Sequence, residues 1–415
     1  MSTDAAIATR ATKTPAGMRL RVAYVYRTFS ETGSIPSLYR RLAERLSSDV
    51  ELTLFCSSRG REKSDAPLTF RDVDPVVSGS GRIRNAVECA SFATRATRTA
   101  FRLRHAFDLV HSEGFATYRA DLVTVHAVRS AELERYFTRI EPRATVRRIL
   151  SPYVFRPQAA VVLSIEKRLF ASPAPLCIAP SLQIKQDLER IHGVSPELVE
   201  IIPYGIDTER LRFDREARAR TRAAVGVPND RLVVLFVGDS FLRKGLDTAI
   251  AGIARSRSRP ELWIIGGDDA SRYRDQAAQL GVSDLVRFIG RCPLDELPAW
   301  YSAADVVLLP SRNDAWGLPP VEGMAAGRVA VVSSFSGCAE AIAHGANGYV
   351  LSGAGSAAEI AALLDGPLSD PASRAVVGSR AVVAAEAFAW EALYPRILRA
   401  HHRAYELRRS RALGA

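Results

Sequence analysis

PSRNDAWGLPPVEGMAAG, Pro310 to Gly327, is the stretch on which the reading of this chain turns. It follows a short apolar run, Ala304 to Leu309, whose length and continuity predict a buried parallel strand. It then turns through Trp316-Gly317-Leu318 and enters a predicted helix at Pro319, because proline suits a first helical position, where its missing N–H is no loss. Gly327 is placed to end that helix. Strand, turn and helix in this order are the unit of an open α/β sheet, which binds ligands at the carboxyl ends of its strands. The free amides and dipole of the helix start favour an anion or a hydroxyl-rich ligand.

Two carboxylates bracket the turn: Asp314 stands before it and Glu322 lies inside the helix. Asp314 could accept hydrogen bonds from sugar hydroxyls, and Glu322 offers two acceptor oxygens to a vicinal diol. Taken singly, Asp314 reads as well as a turn cap and Glu322 as a solvent-facing residue. The whole string resembles the E-x7-E signature of retaining glycosyltransferases of family 4, which have the GT-B fold. The resemblance implies an α/β architecture of two Rossmann-like doubly wound domains facing across a cleft. It also implies that Asp314 and the backbone of Trp316, Gly317 and Leu318 hold the transferred sugar, while Glu322 holds the ribose of the nucleotide. Asp314 stands where the family usually has Glu, which leaves the sugar open.

The chain has 415 residues, 47% of them hydrophobic, enough for two α/β domains with cores of their own. Five cysteines without a CxxC pair read as reduced thiols of a cytosolic protein. No apolar run reaches the length of a membrane span. The first 18 residues have no apolar signal core and read as a disordered tail. The formal net charge is +11, and it is uneven: residues 1–205 carry 30 Lys and Arg against 21 Asp and Glu. Such a basic half suits an acidic partner, for which nucleic acid, an anionic membrane surface or a phosphate-bearing acceptor are the candidates, with a plain arginine excess as the bland alternative. Helix-spaced Arg95, Arg98 and Arg102, and the stretch RATVRRILSPYVFRP (143–157), suit a membrane interface. Neither has the spacing of a nucleic-acid module, so no nucleic-acid partner is expected.

Leu20–Tyr26 predicts the first strand, Pro36–Leu46 a helix and Val50–Cys56 the second strand, the opening of a doubly wound sheet. The loop between them contains Gly33, which permits close backbone approach, and the resemblance implies that this loop faces the donor phosphates and the acceptor. FDLVH (107–111) and DLVTVH (121–126) read as strands that end in histidine. His126 is expected to face the cleft; the resemblance places a histidine here near the reacting centre, and His111 is the weaker candidate. The string IPYGID (202–207) resembles the family's linker. The expected organisation is therefore a tail over 1–18, an acceptor-binding domain over 19–205, a nucleotide-sugar-binding domain over 206–386 and a closing helix over 387–415 that crosses back.

In the second half a strand over Leu232–Val237 ends at Gly238, and Arg243-Lys244 stands at the expected start of a helix near Gly245. Two adjacent cations at a helix amino end are unfavourable unless an anion joins them. The resemblance supplies that anion: the donor's pyrophosphate, held by Arg243 and Lys244. It places the loop Arg291-Cys292 against the nucleotide base, and makes Glu340 structural. Backbone N–H groups at Ser336 and Gly337 could form a second anion cradle.

The expected function is transfer of a sugar from a nucleotide-sugar donor to an acceptor hydroxyl with retention. No cofactor and no metal are expected, because the two cations take the metal's part. His126, Arg243, Lys244 and Asp314 are the expected reaction-centre residues. Gly33, Gly238, Arg243, Lys244, Arg291, Cys292, Asp314, Trp316, Gly317, Leu318 and Glu322 are the expected donor contacts. The basic first half points to a lipid-linked or anionic acceptor in envelope glycan assembly, at the cytoplasmic face of the membrane. The alternatives are a non-catalytic nucleotide-sugar-binding protein or another GT-B enzyme such as an epimerase or a phosphorylase.

Overall fold

The computed structural model describes residues 19–30, 34–78, 80–140 and 157–413. The expected tail over 1–18, Gly33 and the arginine-rich stretch up to residue 156 lie outside the described residues.

Alternating strands and helices build two parallel sheets. The first contains β1 (Arg21–Val25), β2 (Glu51–Cys56), β3 (Thr69–Asp72), β4 (Leu109–Glu113), β5 (Leu122–Thr124), β6 (Leu176–Ala179) and β7 (Val199–Ile201). Its order is β3-β2-β1-β4-β5-β6-β7. The second contains β8 (Val233–Val237), β9 (Glu261–Ile265), β10 (Val286–Gly290), β11 (Val306–Leu309), β12 (Val329–Ser333) and β13 (Gly348–Leu351), in the order β10-β9-β8-β11-β12-β13. In each sheet the chain winds outward one way from the first strand and then returns to wind the other way. The turnaround lies between β1 and β4 in the first sheet and between β8 and β11 in the second. A crevice opens at the carboxyl ends of the strands at such a point.

The central strands of the second sheet are apolar throughout, whereas β4, in the middle of the first, is fully buried but carries His111, Ser112 and Glu113. Val233 to Val237 are all buried, as are Val306 to Leu309. Full burial of a side chain such as Phe236 contributes about 1.5–3 kcal/mol. β3, with Phe70 its only apolar residue, is a largely exposed edge strand, and β13 is short and opens on a glycine.

The helix Trp390–Leu413 is continuous through Pro395 and returns to the first sheet. Arg403 pairs with Glu200 at 2.8 Å, and Tyr394 donates to Asp49 at 2.5 Å. Ile206 and Ala389 form a parallel bridge, so the two segments joining the sheets run side by side. The facing edges also touch. Arg139 lies over the Phe335 ring at 3.6 Å, a cation–π contact. Glu340 accepts the Leu182 N–H at 2.9 Å, bonding the first turn of the helix Leu182–His192 of the other half, whose own cap is Ser181. Among the described residues no helix is long and apolar enough to cross a membrane.

Candidate active site

The stretch 310–327 sits where its sequence put it. β11 ends at Leu309, Gly317 takes φ +94° before the helix Leu318–Ala325, and Gly327 takes φ +69° just after it. The loop after β8 comes up beside this turn. Gly245 makes that approach possible: its φ is +78°, and a Cβ there would overlap the Pro310 carbonyl. Arg312 fastens the two loops, donating to both Asp247 carboxylate oxygens at 2.8 Å.

Lys244 and Asp314 meet in this crevice. Lys244 Nζ donates to Asp314 Oδ2 at 2.9 Å, and Arg243 lies 3.7 Å from the same oxygen. Burial pushes the Asp314 carboxyl up, but Lys244 and Arg243 more than offset it, so it ends below the usual carboxylate range. The methylenes of Lys244 run over Gly238, where a Cβ would come within 2.6 Å of them. Arg243 donates to the Asn313 carbonyl at 2.8 Å and stays about a third exposed.

The expected position of the two cations needs correction. They do not open the helix that follows; they end a one-turn helix, Phe241–Lys244, after which Gly245 breaks the chain and Leu246–Arg255 begins. The anion that helix-end electrostatics asked for is supplied within the chain by Asp314.

Glu322 is packed into the same region and not turned to solvent. Tyr301 donates to it at 2.5 Å. Burial raises its carboxyl; Tyr301, Arg41, Arg210 and Lys244 offset that in part. For Trp316 the expectation concerned its main chain, and the ring itself is turned away from the turn. Its side chain is buried in the core, 5.4 Å from Phe388, so only its main chain and that of Gly317 and Leu318 face the turn. Arg291 and Cys292 follow β10 at the flank of the site, where Arg291 lies 3.8 Å from Asp239. The anticipated cradle at Ser336 and Gly337 is not open to a ligand: Ser336 N–H donates to the Ser333 carbonyl and Gly337 N–H to the Asp314 carbonyl.

On the first sheet, His126 lies two residues beyond β5. Its Nδ1 is 2.9 Å from the Tyr204 hydroxyl, and the Tyr39 hydroxyl packs against the same ring. Burial, with Asp314 and Glu113 adding to it, holds the Tyr204 hydroxyl well above its usual range. Burial drives the His126 pKa down, so the imidazole is neutral, while its side chain keeps 18% exposure. His111 does not end a strand. It sits in the middle of β4, fully buried, with Nδ1 3.1 Å from His401 Nε2 of the closing helix.

Sequence reading missed Glu113, which ends β4 with its carboxyl 3.3 Å from His126 Nε2. The available signal was weak: Glu113 directly precedes Gly114, two residues past the predicted strand end at His111. Tyr204 was visible only as part of the linker string, and Tyr39 only as one position of a helix.

The family model described as Glycosyltransferase Family 4 matches residues 37–210, and that described as Glycosyl transferases group 1 matches residues 217–382. Among curated proteins, the D-inositol 3-phosphate glycosyltransferase of Streptomyces bingchenggensis is 33% identical over 57% of this chain and 54% of its own length. That of Frankia alni is 31% identical over 60% of this chain and 63% of its own. The chain thus spans a little over half the length of the curated relatives it matches. Among solved structures, sucrose-phosphate synthase of Thermosynechococcus elongatus superposes with a TM-score of 0.73 at 20% identity, covering 94% of this chain and all of that one. WaaG, described as a glycosyltransferase involved in lipopolysaccharide biosynthesis, gives 0.70 at 21% identity, covering 88% and 95%. At such identities the likeness speaks for the fold. With both sheets, their order and both family models in agreement, the chain belongs to the GT-B glycosyltransferases of the family 4, group 1 type.

Proposed function

We propose that this chain transfers a sugar from a nucleotide-sugar donor to an acceptor hydroxyl, with retention at the anomeric carbon and without a metal ion. The observation that carries the reading is the convergence of Arg243, Lys244 and Asp314 in the crevice between β8 and β11, with Glu322 on the adjoining helix. Arg243 and Lys244 are placed to receive the donor's diphosphate and to support its charge as the bond to the sugar breaks. Asp314 then turns from its cation to the sugar hydroxyls, and Glu322 takes the ribose diol. In a front-face path the departing phosphate oxygen accepts the proton of the acceptor hydroxyl as the new glycosidic bond forms. Glu113 lies behind His126 and is pushed up to about 8 by burial, so it supports no role as a carboxylate nucleophile.

The acceptor we propose carries hydroxyls and an anionic group, which fits the basic first half and the inositol phosphate in the names of the curated relatives. A phosphorylated polyol and a lipid-linked phosphate share that chemistry. Ile83, 63% exposed between Arg82 and Arg84 on the helix Gly81–Arg102, favours contact with an anionic membrane at its cytoplasmic face and a part in envelope glycan or glycolipid assembly. The test is product analysis with UDP-, GDP- and ADP-sugars, in EDTA, with inositol phosphate in one arm and a lipid-linked acceptor in vesicles in the other. An α-linked product from an α-linked donor supports the reading. An inverted product, turnover only with metal, or epimerised sugar without acceptor would refute it.

A further inference from the structure

Glu113 ends β4 at the turnaround of the first sheet and is 1% exposed. Among the described residues no lysine or arginine forms an ion pair with it; its neighbours are hydroxyls and imidazoles. The Tyr24 hydroxyl donates to Oε1, and the Thr124 hydroxyl lies 3.2 Å from that same oxygen. His111 Nε2 is 3.5 Å from Oε1, and His126 Nε2 is 3.3 Å from Oε2. Beyond His126 lies Tyr204, and the Tyr39 hydroxyl sits against both nitrogens of the same ring, so Glu113 shares the Nε2 side with it. The main chain joins in seating the imidazole: Gly114 has φ +56°, and a Cβ there would fall 3.2 Å from His126 Cδ2.

We propose that Glu113 is a positioning residue, whose carboxyl holds His126 Nε2 and thereby fixes the ring's orientation and tautomer toward the cleft. A buried carboxyl without a cation stays protonated, because desolvation penalises the charged form. Its O–H then donates to His126 Nε2. The ring proton is left on Nδ1, where it donates to the Tyr204 oxygen at 2.9 Å. Tyr204 keeps its own O–H for a further acceptor. The chain of donors runs one way, from the Glu113 carboxyl through the imidazole to the Tyr204 hydroxyl. His401 and His111 close the other end of the network, with His401 Nδ1 held by the Ile397 carbonyl at 2.8 Å.

The part of this inference that concerns rate rests on the proposed transfer reaction; the tautomer does not. The experiment is therefore ¹⁵N NMR of the histidine side chains in the full chain at pH 7, with His126→Asn to assign the signal. The same proteins are assayed for transfer and for nucleoside diphosphate affinity. The wild type should show His126 as the Nδ1–H tautomer. Glu113→Gln can offer an amide N–H to the same nitrogen, so it should keep the tautomer and most of the turnover. Glu113→Ala should mix the tautomers and lower kcat by about 10²-fold, with nucleotide affinity unchanged. Should Glu113→Ala not fold, Glu113→Gln and Glu113→Leu carry the comparison, since only the first retains a donor. A wild-type Nε2–H tautomer, or an unchanged His126 signal in Glu113→Ala or Glu113→Leu, would overturn the inference. If the wild type turns over no nucleotide sugar, the proposed reaction fails while the tautomer result still stands.

Discussion

Lys244 Nζ lies 2.9 Å from Asp314 Oδ2, joining the end of β8 to the end of β11. A cation and a carboxylate that meet in the crevice hold each other in a partly dehydrated place. On the proposed reading the donor's diphosphate competes with Asp314 for Lys244. Asp314→Asn should therefore tighten binding of the free nucleoside diphosphate by roughly tenfold, the worth of one charge-assisted hydrogen bond of about 1.5 kcal/mol. It should abolish most transfer at the same time. Isothermal titration and a transfer assay read the two effects, and weaker diphosphate binding in Asp314→Asn would contradict the competition.

Lys244→Ala should lower transfer by about 10²–10³-fold, as loss of a preorganised donor to a developing charge does. Its fold should survive, since Arg243 remains 3.7 Å from Asp314. Near-normal turnover in a folded Lys244→Ala protein would remove the diphosphate role.

Glu322 receives the Tyr301 hydroxyl at 2.5 Å, and on the proposed reading its remaining lone pairs take the ribose diol. Glu322→Ala should raise the donor KM by about tenfold or more through lost charge-assisted bonds to the ribose, with a smaller effect on kcat. Steady-state kinetics over a range of donor concentrations checks this, and an unchanged KM would refute it.

The buried carboxyl of Glu113 gives a pH signature. Burial pushes it up to about 8, with the Tyr24 and Thr124 hydroxyls offsetting in part; an unfolded glutamate titrates at about 4.3. Between those values the unfolded chain loses its proton while the folded chain keeps it, so stability falls as pH rises and levels off above the folded value. Glu113→Gln does not titrate. Its stability relative to wild type should therefore improve steadily from pH 5 to pH 8, with a slope of at most about 1.4 kcal/mol for a tenfold fall in proton concentration. Denaturant titrations across that range test it; a difference independent of pH would mean that Glu113 is ionised in the fold.

Glu340 reaches from the second half to the amide of Leu182 in the first. Glu340→Ala should cost about 0.5–1.5 kcal/mol, the net worth of a hydrogen bond, and should let the halves open. Melting and small-angle scattering would show both, and an unchanged radius with unchanged stability would leave Glu340 without a structural role.

The parallel architecture was legible because fully buried strands leave unbroken apolar runs, as at 233–237 and 306–309. The motif helix was legible because Pro319 and Gly327 mark its ends. What escaped was whatever depends on distant partners. Nothing near Trp316 in sequence says that its ring packs on Phe388. Nothing near Arg243 says that Asp314, far along the chain, answers its charge. His111 looked like a strand end because only a short apolar run precedes it; the strand continues to Glu113, whose burial depends on tyrosines from β1 and from beyond β7.

The central claim is that Arg243 and Lys244 bind a nucleoside diphosphate without a metal. Thermal unfolding of the wild type and Lys244→Ala with UDP, GDP or ADP, all in EDTA, tests it directly. At about 100 times its Kd a ligand adds about 2.7 kcal/mol of stability. The account predicts that at least one nucleotide raises the wild-type midpoint and shifts Lys244→Ala far less at the same concentration. A shift that needs added metal, or one of equal size in the folded Lys244→Ala protein, would contradict it.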